Sequence, residues 1–120
     1  MQTAVMLLVA FIALEHLGFL VLEMFLWTRP VGLRVFRNTA ERARDSATLA
    51  ANQGLYNGFL AAGLVFGLVY PQPDAAKAIT TFFLVCVVVA GAYGGYSVSR
   101  RILLIQALPA ALALACVVLG

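Results

Sequence analysis

Glu15, His16 and Glu23 are the side chains of this sequence best suited to chemistry, and all three lie in an apolar run over residues 3–27. On a helix turning about 100° per residue, Glu15, Phe19, Glu23 and His16 share one arc of roughly 100°. An ionisable group near the middle of a bilayer costs about 2.5–3.5 kcal/mol on insertion scales, so it faces protein or a water-filled cavity. Carboxylates and an imidazole on one stripe can pass protons, hold a small cation or bind a polar ligand. Metal binding is the weaker reading, because there is one histidine and no paired ligand motif. No metal and no cofactor are expected.

A second polar group of residues comes from the segment Asn52-Gln53-Gly54-Leu55-Tyr56-Asn57-Gly58. Helical spacing of three and four assigns Asn52, Gln53, Tyr56 and Asn57 to one face. Gly54, Gly58 and Ala62 are assigned to the opposite face, a small-residue surface for a neighbouring helix or subunit. Tyr93 and Gln106 add polar groups further along the chain. If these side chains converge, they form a polar chamber open to the cytosol, with Glu15 and His16 as its floor. Three readings compete: a buried hydrogen-bond network that fixes helix order, a pocket that binds or moves a small polar molecule, proton or ion, and enzyme or metal chemistry. The carboxylates weigh against the first, since amides alone fix helix order without burying charge.

The elements that must position these groups are membrane helices. The 120 residues are 63% hydrophobic and only 11% charged, which excludes an ordinary soluble domain of about 25% charged residues. Apolar runs near residues 3–27, 47–70, 76–97 and 102–119 are each long enough to cross a hydrocarbon core of ~30 Å. The expected fold is therefore all-α, a polytopic four-transmembrane-helix bundle in a single domain. A cleavable signal peptide is a poor account of the first run, which has no basic start and carries Glu15-His16 at its centre.

Positive charge is concentrated between the runs. Arg29, Arg34, Arg37, Arg42 and Arg44 follow the first, Arg100 and Arg101 precede the last, and only Lys77 falls elsewhere. The positive-inside rule then puts both arginine-bearing segments in the cytosol and both termini outside. Residues 28–46 are expected to form a cytosolic amphipathic helix or an extension of the second span, with Arg37 and Glu41 paired at i,i+4. The lipid bilayer is the first partner, with Arg34, Arg37, Arg100 and Arg101 set for lipid headgroups or an anionic ligand. Nucleic acid is not an expected partner, whereas a homo-oligomer, dimer or trimer, is.

Smaller signals complete the pattern. Pro71 and Pro73 stop the second span, and Asp74 is placed as the N-cap of the third. Gly91, Gly94 and Gly95 follow no strand and precede no Lys-Ser/Thr, so they read as helix-packing positions and not as a phosphate loop. Pro109 is expected to disturb the last helix by leaving the Ile105 carbonyl unpaired. Cys86 and Cys116 lie far apart with no zinc or redox spacing and read as packing residues.

The combination of Glu15-His16, Leu22-Glu23-Met24-Phe25, the segment 52–61, Tyr93-Gly94 and residues 104–110 resembles a domain-of-unknown-function family of small four-span bacterial membrane proteins. The resemblance covers nearly the whole chain and implies the fold without an activity. The layout is also similar, more distantly, to the membrane-associated eicosanoid and glutathione metabolism family, through Arg34-Val35-Phe36-Arg37 and the polar second span. That likeness implies trimer-like assembly and, as an alternative function, a membrane enzyme resembling microsomal glutathione transferases. The second span has no carboxylate where glutathione binders carry one.

Overall fold

The computed structural model describes residues 1–120 and is helical throughout, with no strand. The helices are α1 (Thr3–Met24), α2 (Pro30–Val35), α3 (Ala40–Val69), α4 (Pro73–Ser97), α5 (Arg100–Ile102) and α6 (Leu108–Leu119), and a π-helical turn at Leu103–Ala107 joins the last two. Thr3–Met24, Pro73–Ser97 and Arg100–Leu119 are long and apolar enough to cross a membrane. At 30 residues α3 is longer than any of them, about 45 Å along its axis. It falls outside that set because Asn52, Gln53 and Asn57 dilute its apolar half and Glu41, Arg42, Arg44 and Asp45 crowd its start.

The chain divides into two compact units, one formed by Met1–Leu14 with Leu60–Gly120 and the other by Glu15–Phe59. In the first, Val9, Ile12 and Ala13 of α1 pack with Leu64 of α3, Leu84 and Val87 of α4, and Ala110, Ala113 and Val117 of α6. Alanine is frequent in this core because it lets helix backbones come close, the main source of helix association where lipid removes the hydrophobic drive. Gly91 marks the closest approach. A Cβ there would lie 2.7 Å from the Ala107 backbone nitrogen, which has no flexible end to move aside. Gly91→Ala is accordingly expected to cost about 2 kcal/mol through overpacking, seen as a lower unfolding midpoint in detergent.

Helix starts and stops follow the local sequence, with two differences from expectation. Gln72 is the N-cap of α4 and Pro73 occupies its first turn, so Asp74 is inside the helix and favours it through the macrodipole instead of capping it. Near Pro109 the helix widens instead of breaking. The Leu108 N–H donates to the Leu103 carbonyl five residues back, and Pro109 then sits in the first turn of α6, where a missing N–H costs nothing.

Candidate functional site

The unit Glu15–Phe59 holds the C-terminal part of α1, all of α2 and the first two-thirds of α3. Contacts within it run in opposite senses along the two long helices. Trp27 meets Ser46, Glu23 and Met24 meet Gly54, and Leu20 meets Gly58, so α1 and α3 form an antiparallel pair here. Small residues set its spacing. A Cβ on Gly54 would lie 2.8 Å from Met24 Cγ, 3.0 Å from Glu23 Cβ and 3.2 Å from the Leu20 carbonyl oxygen.

Buried positions on this part of α3 are Ala43, Ala50, Gly54 and Asn57, in steps of seven, four and three. That is the seam of a helix pair, and it corrects the assignment of Asn57 to the face opposite the glycines. Asn57 stands about 60° around the helix from Gly54, on the same side. It is 6% exposed, and its Nδ2 donates to Glu23 Oε1 at 2.5 Å. One carboxylate and one amide, contributed by two helices, are thus joined next to the glycine contact.

The other amides go elsewhere. Asn52 and Gln53 are exposed, and Tyr56 is 55% exposed, because they fall outside the seam. Asn52 Nδ2 donates to the Thr48 carbonyl one turn back at 2.9 Å, a bond that stays within its own helix. Gly54 and Gly58 are taken up by α1 of the same chain, which leaves Ala62 exposed on the other unit. Tyr93, Gln106, Arg100 and Arg101 also belong to that unit: Tyr93 is exposed on α4, Gln106 is half-buried in the π-helical turn, and both arginines are exposed on α5.

His16 is fully buried, its ring set edge-on to Phe19 at 5.1 Å, with Nδ1 4.0 Å from Glu15 Oε1. That separation is too long for a hydrogen bond. Glu15 Oε1 is buried with no hydrogen-bond partner, and neither Glu15 nor Glu23 forms an ion pair with a lysine or arginine. His16 and Glu23 are seven residues apart on the α1 side of the seam, about 10 Å along the axis. The carboxylates therefore form two acceptor-rich points along one helix, Glu15 beside an imidazole that does not bond to it and Glu23 held by an amide.

Beyond the helix pair, residues 25–39 fold into a fixed turn. The Trp27 Nε1 hydrogen is donated to Ser46 Oγ at 3.1 Å, the Ser46 hydroxyl is donated to the Arg42 carbonyl at 2.6 Å, and the Trp27 ring lies 4.9 Å from that of Phe36. Thr39 Oγ1 caps α3 by accepting from the Arg42 N–H. In this segment α2 is a short separate helix, and α3 starts as early as Ala40. Arg37 and Glu41 form no ion pair, because Arg37 sits in a left-handed turn at φ 52° outside either helix. Sequence reasoning passed over Ser46 and Gly32; a lone serine three residues from the seam position Ala43 was too weak a signal to single out.

Comparison with known proteins adds a family. Residues 10–118 match the model of the family described as protein of unknown function (DUF1304). The chain is a DUF1304 protein. It is also similar to the uncharacterised protein YpaA of Lactococcus lactis subsp. lactis (strain IL1403), 31% identical over 105 residues, which cover 86% of this chain and 87% of that one. No solved structure matches. In this DUF1304 chain Arg34, Asn38 and Glu41 follow one another at spacings of four and three. The three residues are split between α2, the turn and the first turn of α3, and Asn38 Oδ1 accepts the Thr39 N–H. The spacing therefore builds a capping turn in this structure and does not gather the three side chains on one helix face.

Proposed function

We propose that this chain is a four-span inner-membrane protein, with both termini outside, that binds a small cation or takes up a proton at Glu23 and Asn57. Glu15 and His16 serve as a second station about two turns deeper. The observation that carries this reading is the Glu23 carboxylate, held in an apolar helix by one amide and matched by no basic side chain. A carboxylate in that setting has acceptor capacity that only a proton, a cation or a hydrogen-bond donor on a ligand can fill. The arginine distribution supports the orientation, and α3 supplies the fourth span through its apolar half. Self-association as a dimer or trimer would use the exposed side of α3 around Tyr56, since Gly54 and Gly58 are already packed on α1.

The test is a thermal-shift panel on purified protein in detergent, with small inorganic cations and amines at several pH values. A ligand that binds only the folded chain raises its midpoint by mass action. Native protein is expected to respond to a cation or to pH, and Glu23→Gln to lose that response while its midpoint without ligand changes by no more than about 1 kcal/mol, because glutamine still accepts the Asn57 bond. If the variant responds as native protein does, Glu23 is not the binding group. A helix-locking bond with no ligand is the second reading, favoured by the outward Asn52, Gln53 and Tyr56; it predicts a native chain indifferent to every addition. Turnover of glutathione in micelles would instead identify the enzyme alternative.

A further inference from the structure

Residues 25–44, the segment between α1 and α3 with the first turn of α3, carry Arg29, Arg34, Arg37, Arg42 and Arg44, all exposed and none in an ion pair. Apolar side chains stand beside them. Phe25 is 67% exposed, and Val31, Val35 and Phe36 are exposed on or next to α2. Val31 and Val35 are one turn apart on that helix and both exposed, with Arg34 at their edge. The platform is rigid: Trp27 is fixed by Ser46 and Phe36.

Its C-terminal end has an unusual residue. The Asn38 N–H donates to the Leu33 carbonyl and the Arg37 N–H to the Arg34 carbonyl, the two bonds of a Schellman turn. The residue in left-handed conformation at such a turn is usually glycine, since any side chain there is strained. This chain has Arg37 at that point, at φ 52°. The strain is not offset by an ion pair of the guanidinium within the chain. An outlier of this kind points to a role outside the fold.

We infer that residues 25–44 form a docking surface for anionic phospholipid in the cytosolic leaflet, with Val31 and Val35 set into the acyl boundary and Arg34, Arg37 and Arg42 on headgroup phosphates. Charge complementarity selects the occupant: five unpaired arginines face a leaflet rich in anionic lipid, and guanidinium matches phosphate oxygens in a bidentate fork. The exposed valines select a lipid over a soluble anion, because they need an apolar phase to cover them. This inference rests on the proposed topology, which puts the segment on the cytosolic side.

The experiment compares full-length protein in nanodiscs of phosphatidylcholine with discs that also contain phosphatidylglycerol, using the unfolding midpoint and its salt dependence. Native protein is expected to gain stability from phosphatidylglycerol, and added salt to remove most of the gain. Arg37→Gly separates fold from function. It should match or exceed native stability in phosphatidylcholine, because the strained turn is relieved, yet lose a substantial part of the phosphatidylglycerol gain. Arg34→Gln should lose a similar part, with apparent affinity for the anionic lipid about fivefold weaker for each arginine removed. A native chain with no gain, or variants that keep all of it, would overturn the inference. Equal stabilisation of the detergent-solubilised protein by inorganic phosphate would assign the arginines to a soluble anion and overturn it too. Failure to enter the disc defeats the membrane reading and this one together, whereas entry without a lipid response defeats this one alone.

Discussion

Asn57→Ala is expected to destabilise the purified chain by about 2–4 kcal/mol, with a further signature in combination with Glu23→Ala. The substitution removes the amide that donates to Glu23 Oε1 and leaves the carboxylate inside the helix pair with no side-chain donor. Removing one partner of a part-buried polar pair costs more than the bond is worth, because the orphaned carboxyl keeps its desolvation penalty, and most where that carboxyl is ionised. Polar contacts between membrane helices average only about 0.6 kcal/mol, so a neutral amide pair here would be a minor feature. A charged acceptor roughly doubles the strength of the bond, and the small cavity at position 57 adds to the loss. The double variant should therefore be less destabilised than the sum of the two single ones, with a coupling of about 1–2 kcal/mol from a double-mutant cycle in detergent. Additive effects would show that the contact contributes nothing beyond packing. A coupling of that size would make the Asn57–Glu23 bond a main determinant of how firmly α1 and α3 are joined.

The helical class was plain from the sequence because long apolar runs with few charges leave lipid as the only fitting solvent, and a backbone in lipid must satisfy its own hydrogen bonds. Glu23 was equally visible, as a charge in such a run has to be explained. Its partner was harder to choose. Asn52, Gln53, Tyr56 and Asn57 are alike in composition, and only the step pattern of buried positions singles out Asn57 as a seam residue. Reading the glycines as an independent face hid this, because Gly54 and Gly58 lie on the seam with Asn57 and pack on Leu20 and Glu23. Residues 28–46 were legible only in outline. Their shape depends on a left-handed turn at Arg37, where the usual glycine is missing, and on a tryptophan-to-serine bond between residues 19 positions apart. Neither leaves a periodic trace.

Gly32→Ala should be as damaging as the loss of Asn57, although it touches no polar group. Gly32 is buried where α2 lies on the turn that follows α1, and a Cβ there would lie 1.9 Å from the Leu26 carbonyl oxygen and 2.8 Å from its carbon. Both obstacles are backbone, so no rotamer change relieves the clash and α2 must move off the turn. A cost of about 3 kcal/mol is expected, at the upper end for one added methyl, and roughly 10 °C in the unfolding midpoint for a chain of this length. The displacement has its own reporter, since Trp27 is the single tryptophan of the sequence. Its ring is stacked near Phe36 just beyond α2, and its Nε1 hydrogen is held by Ser46. Lifting α2 moves Phe36 with it and opens the ring to water, so Trp27 emission should shift to longer wavelength below the unfolding transition. Ser46→Ala removes only the hydrogen bond and should leave the stack in place, giving a much smaller shift. If Gly32→Ala leaves both midpoint and emission unchanged, the close approach of α2 to the end of α1 is wrong, and the arginine platform built on it loses its rigid base.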